Sequence, residues 1–183
     1  MRWDRLFDDL QAQMDADGQR ELELEVSDRT RRERAQVGLH ERLIAHRGLG
    51  VELRLAAGVQ VSGRVADAGS DWLLVDEPGE RGSLVPFGAI VAIKGLGIRA
   101  AAGAGVATAK RFGLGYALRG LSRDRCVVSL TDIAGSVTTG TIDAVGADAL
   151  DLSEHPADVA RRAVNIVARR VVPFTAIVVI RHG

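Results

Sequence analysis

The chain repeats itself at a spacing of 77 residues, and no other sequence feature constrains its fold as much. Three glycines of the first copy return at this spacing in the second, as the pairs Gly58 and Gly135, Gly63 and Gly140, and Gly69 and Gly146. The segment Asp-x-Leu-x-Val at 71–75 returns as Asp-x-Leu-x-Leu at 148–152. After a drift of ten residues, the run Val-Pro-Phe-x-Ala-Ile-x-x-Ile at 85–93 returns at 172–180. These matches predict an internal duplication of one structural unit.

Within each copy, apolar residues alternate with polar or small residues. In the first copy, Val51, Leu53 and Leu55 alternate in this way, and Gly58 then turns the chain into a second alternating run. A period of two is typical of half-buried strands, and the glycines mark the turns between them. Four or five short strands in roughly 50 residues cannot bury an apolar face unless the sheet curls or pairs with another unit.

The residues before the first copy have a helical pattern. Apolar residues recur there at intervals of three and four, at Trp3, Leu6, Phe7, Leu10 and Met14, and a break follows at 15–18. A second helix is predicted from about Glu21 to Arg47. The segment Leu22-x-Leu24-x-Val26 also alternates as a short strand would, but strong helix formers surround it and favour a helix. Residues 1–47 hold 9 Lys and Arg against 11 Asp and Glu, which indicates a solvated helix pair.

The glycine and valine pattern of the repeat resembles the Sm-like fold of the Sm and LSm proteins and the bacterial RNA chaperone Hfq. The segments Gly58-x-x-Val61-x-Gly63-x-Val65 and 135–142 resemble the first Sm motif, and the two Val-Pro-Phe runs resemble the second in position. The whole chain also resembles a family of actinobacterial proteins that has no assigned function. PRC-barrel domains are a competing resemblance, because they too end in an apolar strand of this type, but they are typically longer.

The resemblance implies an α+β fold, mainly β, with an N-terminal helical hairpin followed by two tandem Sm-like, Src-homology-3-type small β-barrels. The expected divisions are a helical segment at 1–47, a first barrel at 48–95, a basic and partly helical connector at 96–125 and a second barrel at 126–183. The sequence departs from the Sm pattern in two places. Trp72 and Ala149 replace the usual asparagine after the conserved aspartate, and Val-Pro-Phe stands where Hfq has a basic, aromatic stretch. The resemblance therefore supports the fold more than RNA binding.

One segment has a one-sided charge. Residues 96–125 carry six basic residues against Asp124 alone, and two aromatic residues four apart lie among them. Cations interleaved with aromatics suit single-stranded nucleic acid, whose phosphates they neutralise and whose bases they stack against. The candidate nucleic-acid-binding residues, including two from a second basic cluster, are Lys110, Arg111, Phe112, Tyr116, Arg119, Arg123, Arg125, Arg161 and Arg162. Alternatively, the aromatics pack on a barrel while acidic residues elsewhere pair with the cations.

Composition and motifs argue against several other classes. The formal net charge is zero, and 46% of residues are hydrophobic, as in soluble globular proteins. No targeting segment or membrane span is expected, so the predicted location is cytoplasmic. Four scattered histidines and the single cysteine Cys126 predict no metal site, and no cofactor is expected. No nucleophile elbow or phosphate loop is present, and Asp71 and Asp148 are predicted to be turn residues rather than a catalytic pair.

Two main functional hypotheses follow, and an enzyme is the least supported class. The first is a non-enzymatic binding module for RNA or single-stranded nucleic acid, which self-associates as Sm-like modules do. The second is a protein-interaction or scaffold protein that docks a partner, or a second copy of itself, through the apolar face formed by Trp3, Phe7, Leu10 and Met14.

Overall fold

The structure is a computed structural model that describes residues 26–27, 29, 31–32, 35–79, 81–101, 111–158 and 162–182. The chain divides into two compact units, Met1–Gly38 and Leu39–Gly183. In the first unit, the described residues between 26 and 35 are helical and exposed, and the helix has ended before Gly38. The remainder of the description concerns the second unit.

The described residues of the second unit form two α-helices and ten strands. The helices are α1 (Leu39–Ala45) and α2 (Leu114–Arg123). The strands of the first repeat are β1 (Gly50–Leu55), β2 (Gln60–Ala68), β3 (Trp72–Glu77), β4 (Arg81–Pro86) and β5 (Ile90–Lys94). Those of the second are β6 (Val127–Asp132), β7 (Val137–Val145), β8 (Ala149–Glu154), β9 (Ala168–Pro173) and β10 (Ile177–His182).

All ten strands belong to one antiparallel sheet, in the order β5-β1-β2-β3-β4-β10-β6-β7-β8-β9. Each repeat contributes five neighbouring strands in the same internal order. The two repeats meet where β4 pairs with β10, with Leu84 opposite Ile180 and Ser83 opposite Arg181. This pairing, called the joint below, makes one sheet of the two halves.

The predicted fold of two small Sm-like barrels behind a helical hairpin is wrong. The chain instead forms one large open ten-stranded sheet, because the last strand of the second repeat extends β4 of the first and the two halves share a continuous hydrogen-bond ladder. The hairpin is also wrong. The helix predicted over 21–47 is divided at Gly38, a residue that ends helices readily, and α1 beyond it belongs to the unit that holds the sheet.

The structure repeats as the sequence does. A strand irregularity between Val65 and Asp67 in β2 has its counterpart between Ile142 and Ala144 in β7. Gly63 and Gly140 occupy equivalent sites, where an added Cβ would lie well under 3.0 Å from the carbonyl oxygen of the adjacent strand. The strands cross so closely there that only glycine fits. The repeated glycines are therefore required by the packing of backbone on backbone.

Two apolar clusters form the core, and each crosses the joint. The first is built mainly from the first repeat but includes Val178 and Val179 of β10. The second is built mainly from the second repeat and α2 but includes Trp72 and Leu84 of the first repeat. The two halves therefore share their buried surface, as the small size of one repeat requires.

Candidate nucleic-acid interface

Helix α2 is held on the sheet by contacts at both of its ends. At its start, Leu114 donates its backbone N–H to Asp71 Oδ1 at 2.7 Å. Just before it, the Phe112 carbonyl accepts hydrogen bonds from the Trp72 indole at 2.9 Å and from the Ser70 backbone N–H at 3.0 Å. At its other end, the Ser122 hydroxyl donates to the Ile142 carbonyl at 3.1 Å. These bonds set the direction in which each face of α2 points.

The two faces of α2 differ in character. Leu114 and Leu118 are buried in the second apolar cluster. Tyr116, Arg119 and Arg123 follow one another at intervals of three and four residues, so they share the opposite face, and all three are exposed. Burial of the leucine side therefore presents an aromatic and two arginines to solvent.

Two aromatic rings stack at the start of this face. The ring centroids of Phe112 and Tyr116 are 4.4 Å apart and the ring planes are tilted by 39°. Tyr116 is 52% exposed and Phe112 is 37% exposed, so the pair packs side by side without being covered by the sheet. The alternative interpretation packs Phe112, Tyr116 and Leu118 together on a barrel. Of these three side chains only Leu118 is buried, in the second apolar cluster, and both rings are exposed. The exposed side of either ring offers a face on which a base can stack.

The arginines of α2, Arg119 and Arg123, and Arg125 just after it, have no acidic partner among the described residues. The Arg119 guanidinium lies beside Gly115, where an added Cβ would be 3.4 Å from Nη1 and 3.5 Å from the Phe174 ring. The charges of Arg119, Arg123 and Arg125 are therefore not offset by any described acidic side chain. Below, the exposed set Phe112, Tyr116, Arg119 and Arg123 is called the α2 face.

One cleft lies at the Arg123 end of the α2 face, and a second cleft shares Asp143 with it. The first, of about 310 Å³, is lined by Ser122, Arg123, Arg125, Thr141, Ile142 and Asp143. The second, of about 320 Å³, is lined by Asp143, Asp151, Leu152, Arg169, Arg170 and Val171. Both basic clusters of the sequence thus reach Asp143, whose Oδ2 accepts a 2.6 Å hydrogen bond from Ser153. Sequence reasoning did not identify Asp143, because the two clusters are far apart in the chain.

The structure places the predicted residues unevenly. Phe112, Tyr116, Arg119 and Arg123 come together on one surface, and Arg125 follows at the mouth of the first cleft. Arg111 is exposed just before Phe112, and Arg162 is exposed next to the short 3-10 helix Ala163–Asn165. The other predicted residues lie outside the described residues, namely Lys110, Arg161, Trp3, Phe7, Leu10 and Met14.

The cysteine and three of the histidines, whose side chains could in principle react or bind a metal, pack or form hydrogen bonds within the fold. Cys126 is partly buried against the second apolar cluster. Three histidines are buried and hydrogen-bonded: His40 to the Gly69 carbonyl, His46 to the Arg42 carbonyl, and His155 to Thr141. In the described part of the chain, no three His, Cys, Asp or Glu side chains are grouped so as to hold a metal ion.

The two repeated aspartates give a matched test of how α2 is anchored. The Asp71 carboxylate binds the Leu114 N–H, whereas no described group bonds to the exposed Asp148 carboxylate. We expect Asp71→Ala to lower the free energy of unfolding by about 1 kcal/mol, the usual cost of a lost helix N-terminal cap, and Asp148→Ala to change it by less than about 0.5 kcal/mol. Urea denaturation followed by circular dichroism measures both. Equal losses would contradict the anchoring role of Asp71.

Comparison with known proteins gives no significant match to any protein-family model, any curated protein or any solved structure. A search of the described residues for a helix with the length and apolar character to cross a bilayer also finds none.

Proposed function

We propose that the chain is a non-enzymatic binding protein that takes single-stranded nucleic acid, with RNA as the leading class, on the α2 face. The observation that carries the proposal is the exposed Phe112–Tyr116 ring pair beside Arg119 and Arg123, two arginines without an ion-pair partner among the described residues. A cytoplasmic location belongs to this proposal, since RNA and a free cysteine both suit that compartment.

The chemistry of the ligand follows from that of the face. Aromatic rings stack on any base, and each stacked base contributes about 1–3 kcal/mol to binding. Arginines at the rim neutralise the phosphates that connect the stacked bases. A single strand fits better than a duplex, because stacking on a protein ring needs a base whose face is not already covered by its neighbours.

The binding test uses the full chain and a labelled mixed-sequence RNA of roughly 20 nucleotides in fluorescence anisotropy. Tyr116→Ala is expected to weaken binding about 5- to 100-fold through the loss of one stacking partner. Arg119→Glu with Arg123→Glu is expected to weaken binding further. It should also reduce the steepness with which log affinity falls with log salt, by about 1.4 from a slope of roughly −2 for three phosphate contacts.

Arg54 supplies the matched control for the charge reversal. It is exposed on β1 and has no ion-pair partner among the described residues, so Arg54→Glu makes the same charge change outside the α2 face. This variant should bind as the wild-type chain does. No binding by the wild type at about 50 mM salt, or an equal loss in Arg54→Glu and Arg119→Glu, would rule the proposal out.

A further inference from the structure

The joint between the repeats shows how one end of the repeated unit binds the other. Strand β10 adds to the edge of β4, and Arg181 Nε of β10 reaches Glu77 Oε1 of β3 at 3.1 Å. The pairing also covers apolar side chains on both strands, so that Leu84 is 3% exposed and Val178 is 0% exposed. Backbone pairing, an ion pair and apolar burial therefore act together at this contact.

Each repeat contains both types of strand that meet at the joint. Within the chain, only β4 of the first repeat and β10 of the second are paired in this way. By position in the repeat, β9 is equivalent to β4 and β5 is equivalent to β10. These two strands form the two outer edges of the ten-stranded sheet, and each has one neighbour in the described part of the chain. Each edge strand has one valine that is open to solvent, whereas the equivalent residue at the joint is covered. Val171 of β9, equivalent to Leu84, is 71% exposed, and Val91 of β5, equivalent to Val178, is 59% exposed.

We propose that a second copy of this chain binds head to tail, with β9 of one copy pairing antiparallel with β5 of the next. The register of the joint carries over by the repeat spacings, which places Val171 opposite Ile93 and Arg170 opposite Lys94. Alternation along β9 supports the pairing. Phe174 donates its N–H to the Asp148 carbonyl on the β8 side, so the backbone groups of Val171 point away from β8 and toward the open edge.

The equivalence of these edges to the joint favours a second copy as their occupant, and Glu154 can offset the like charges of Arg170 and Lys94 that the register places opposite each other. Glu154 occupies in the second repeat the position of Glu77, and Lys94 occupies in the first the position of Arg181. The new contact therefore brings Lys94 of one copy to Glu154 of the other, as Arg181 meets Glu77 within the chain. At present each binds a neighbour in its own chain at the surface, Lys94 to Glu52 and Glu154 to Arg170. The proposal is independent of nucleic-acid binding.

A head-to-tail contact uses two different surfaces, so one copy can bind a neighbour on each side. Such assemblies close into rings or grow as filaments, depending on the rotation between copies. A ring leaves every copy with β5 and β9 paired, and a filament does so for all copies except the two at its ends. Pairing covers the edge strands, which would otherwise be sites for uncontrolled aggregation.

The test places a charge on each edge separately in the full chain. Val91→Asp blocks β5 and Val171→Asp blocks β9. Both side chains are exposed in the single chain, so folding should be retained, as circular dichroism checks. In the contact, each aspartate would be covered without a partner and binding should weaken at least about a hundredfold.

By light scattering, the wild type should exceed the mass of one chain and both variants should be single chains. Val137→Asp is the control. Val137 is 63% exposed but lies on the interior strand β7, so this variant should assemble as the wild type does.

Mixing the two blocked variants is the decisive step. Val91→Asp retains an intact β9 and Val171→Asp retains an intact β5, so an equimolar mixture should give a complex of one chain of each and nothing larger. A single-chain wild type at roughly 100 µM would overturn the proposal. So would a wild-type assembly that both variants retain, since it would place the contact elsewhere, and so would blocked variants that fail to combine.

Discussion

Substituting Gly140 by alanine is expected to lower the free energy of unfolding by about 3 kcal/mol, a large fraction of the roughly 5–15 kcal/mol by which folded domains are stable. An added Cβ at Gly140 would lie well under 3.0 Å from the Ser153 carbonyl oxygen, and this obstacle is backbone rather than the end of a flexible side chain. Relief would require β7 and β8 to separate, which would break hydrogen bonds of the ladder between them. Urea denaturation measures the loss.

Gly63→Ala should behave in the same way, since an added Cβ there meets the Asp76 carbonyl oxygen at the equivalent position of the first repeat. Gly120→Ala is the matched control. It lies in α2 with no atom within 4 Å of an added Cβ, so alanine should stabilise the chain by about 0.5–1 kcal/mol through helix propensity. Losses below about 1 kcal/mol at Gly140 and Gly63 would show that the strands can part at little cost.

The second large effect is expected at Leu118, which anchors α2 in the second apolar cluster. Its side chain is 0% exposed, and Leu118→Ala should cost about 2–5 kcal/mol through lost burial and the cavity left behind. Because Leu118 is on the face of α2 opposite Tyr116 and Arg119, nucleic-acid affinity should also fall, through loss of helix position rather than loss of a ligand contact.

Tyr116→Ala separates these two effects. Tyr116 is 52% exposed, so its removal should change the free energy of unfolding by no more than about 0.5 kcal/mol while weakening nucleic-acid binding. Thermal unfolding and anisotropy on the same preparations give both quantities. A Leu118→Ala chain as stable as the Tyr116→Ala chain would contradict the anchoring of α2 by its apolar side.

Much of the secondary structure could be predicted from local sequence patterns. Alternating apolar residues and positive-φ glycines such as Gly58 and Gly135 indicate strands and turns, because period and backbone conformation are properties of short segments. The spacing of Phe112 and Tyr116 likewise indicated that the two rings would share a surface. The sequence did not show that α2 begins where Asp71 binds it, since the two residues are 43 positions apart and nothing local links them.

The amino-acid sequence specifies a duplicated strand unit with its turns, its closely spaced strands and one basic, aromatic segment between the copies. Long-range contacts join the units through β4 and β10 into an open sheet instead of two closed barrels. The apolar pattern requires each strand to be covered, but it does not specify which strand covers it. That choice depends on the competition between an edge in the same repeat and an edge in the other. The same choice leaves Val91 and Val171 exposed at the two ends of the sheet.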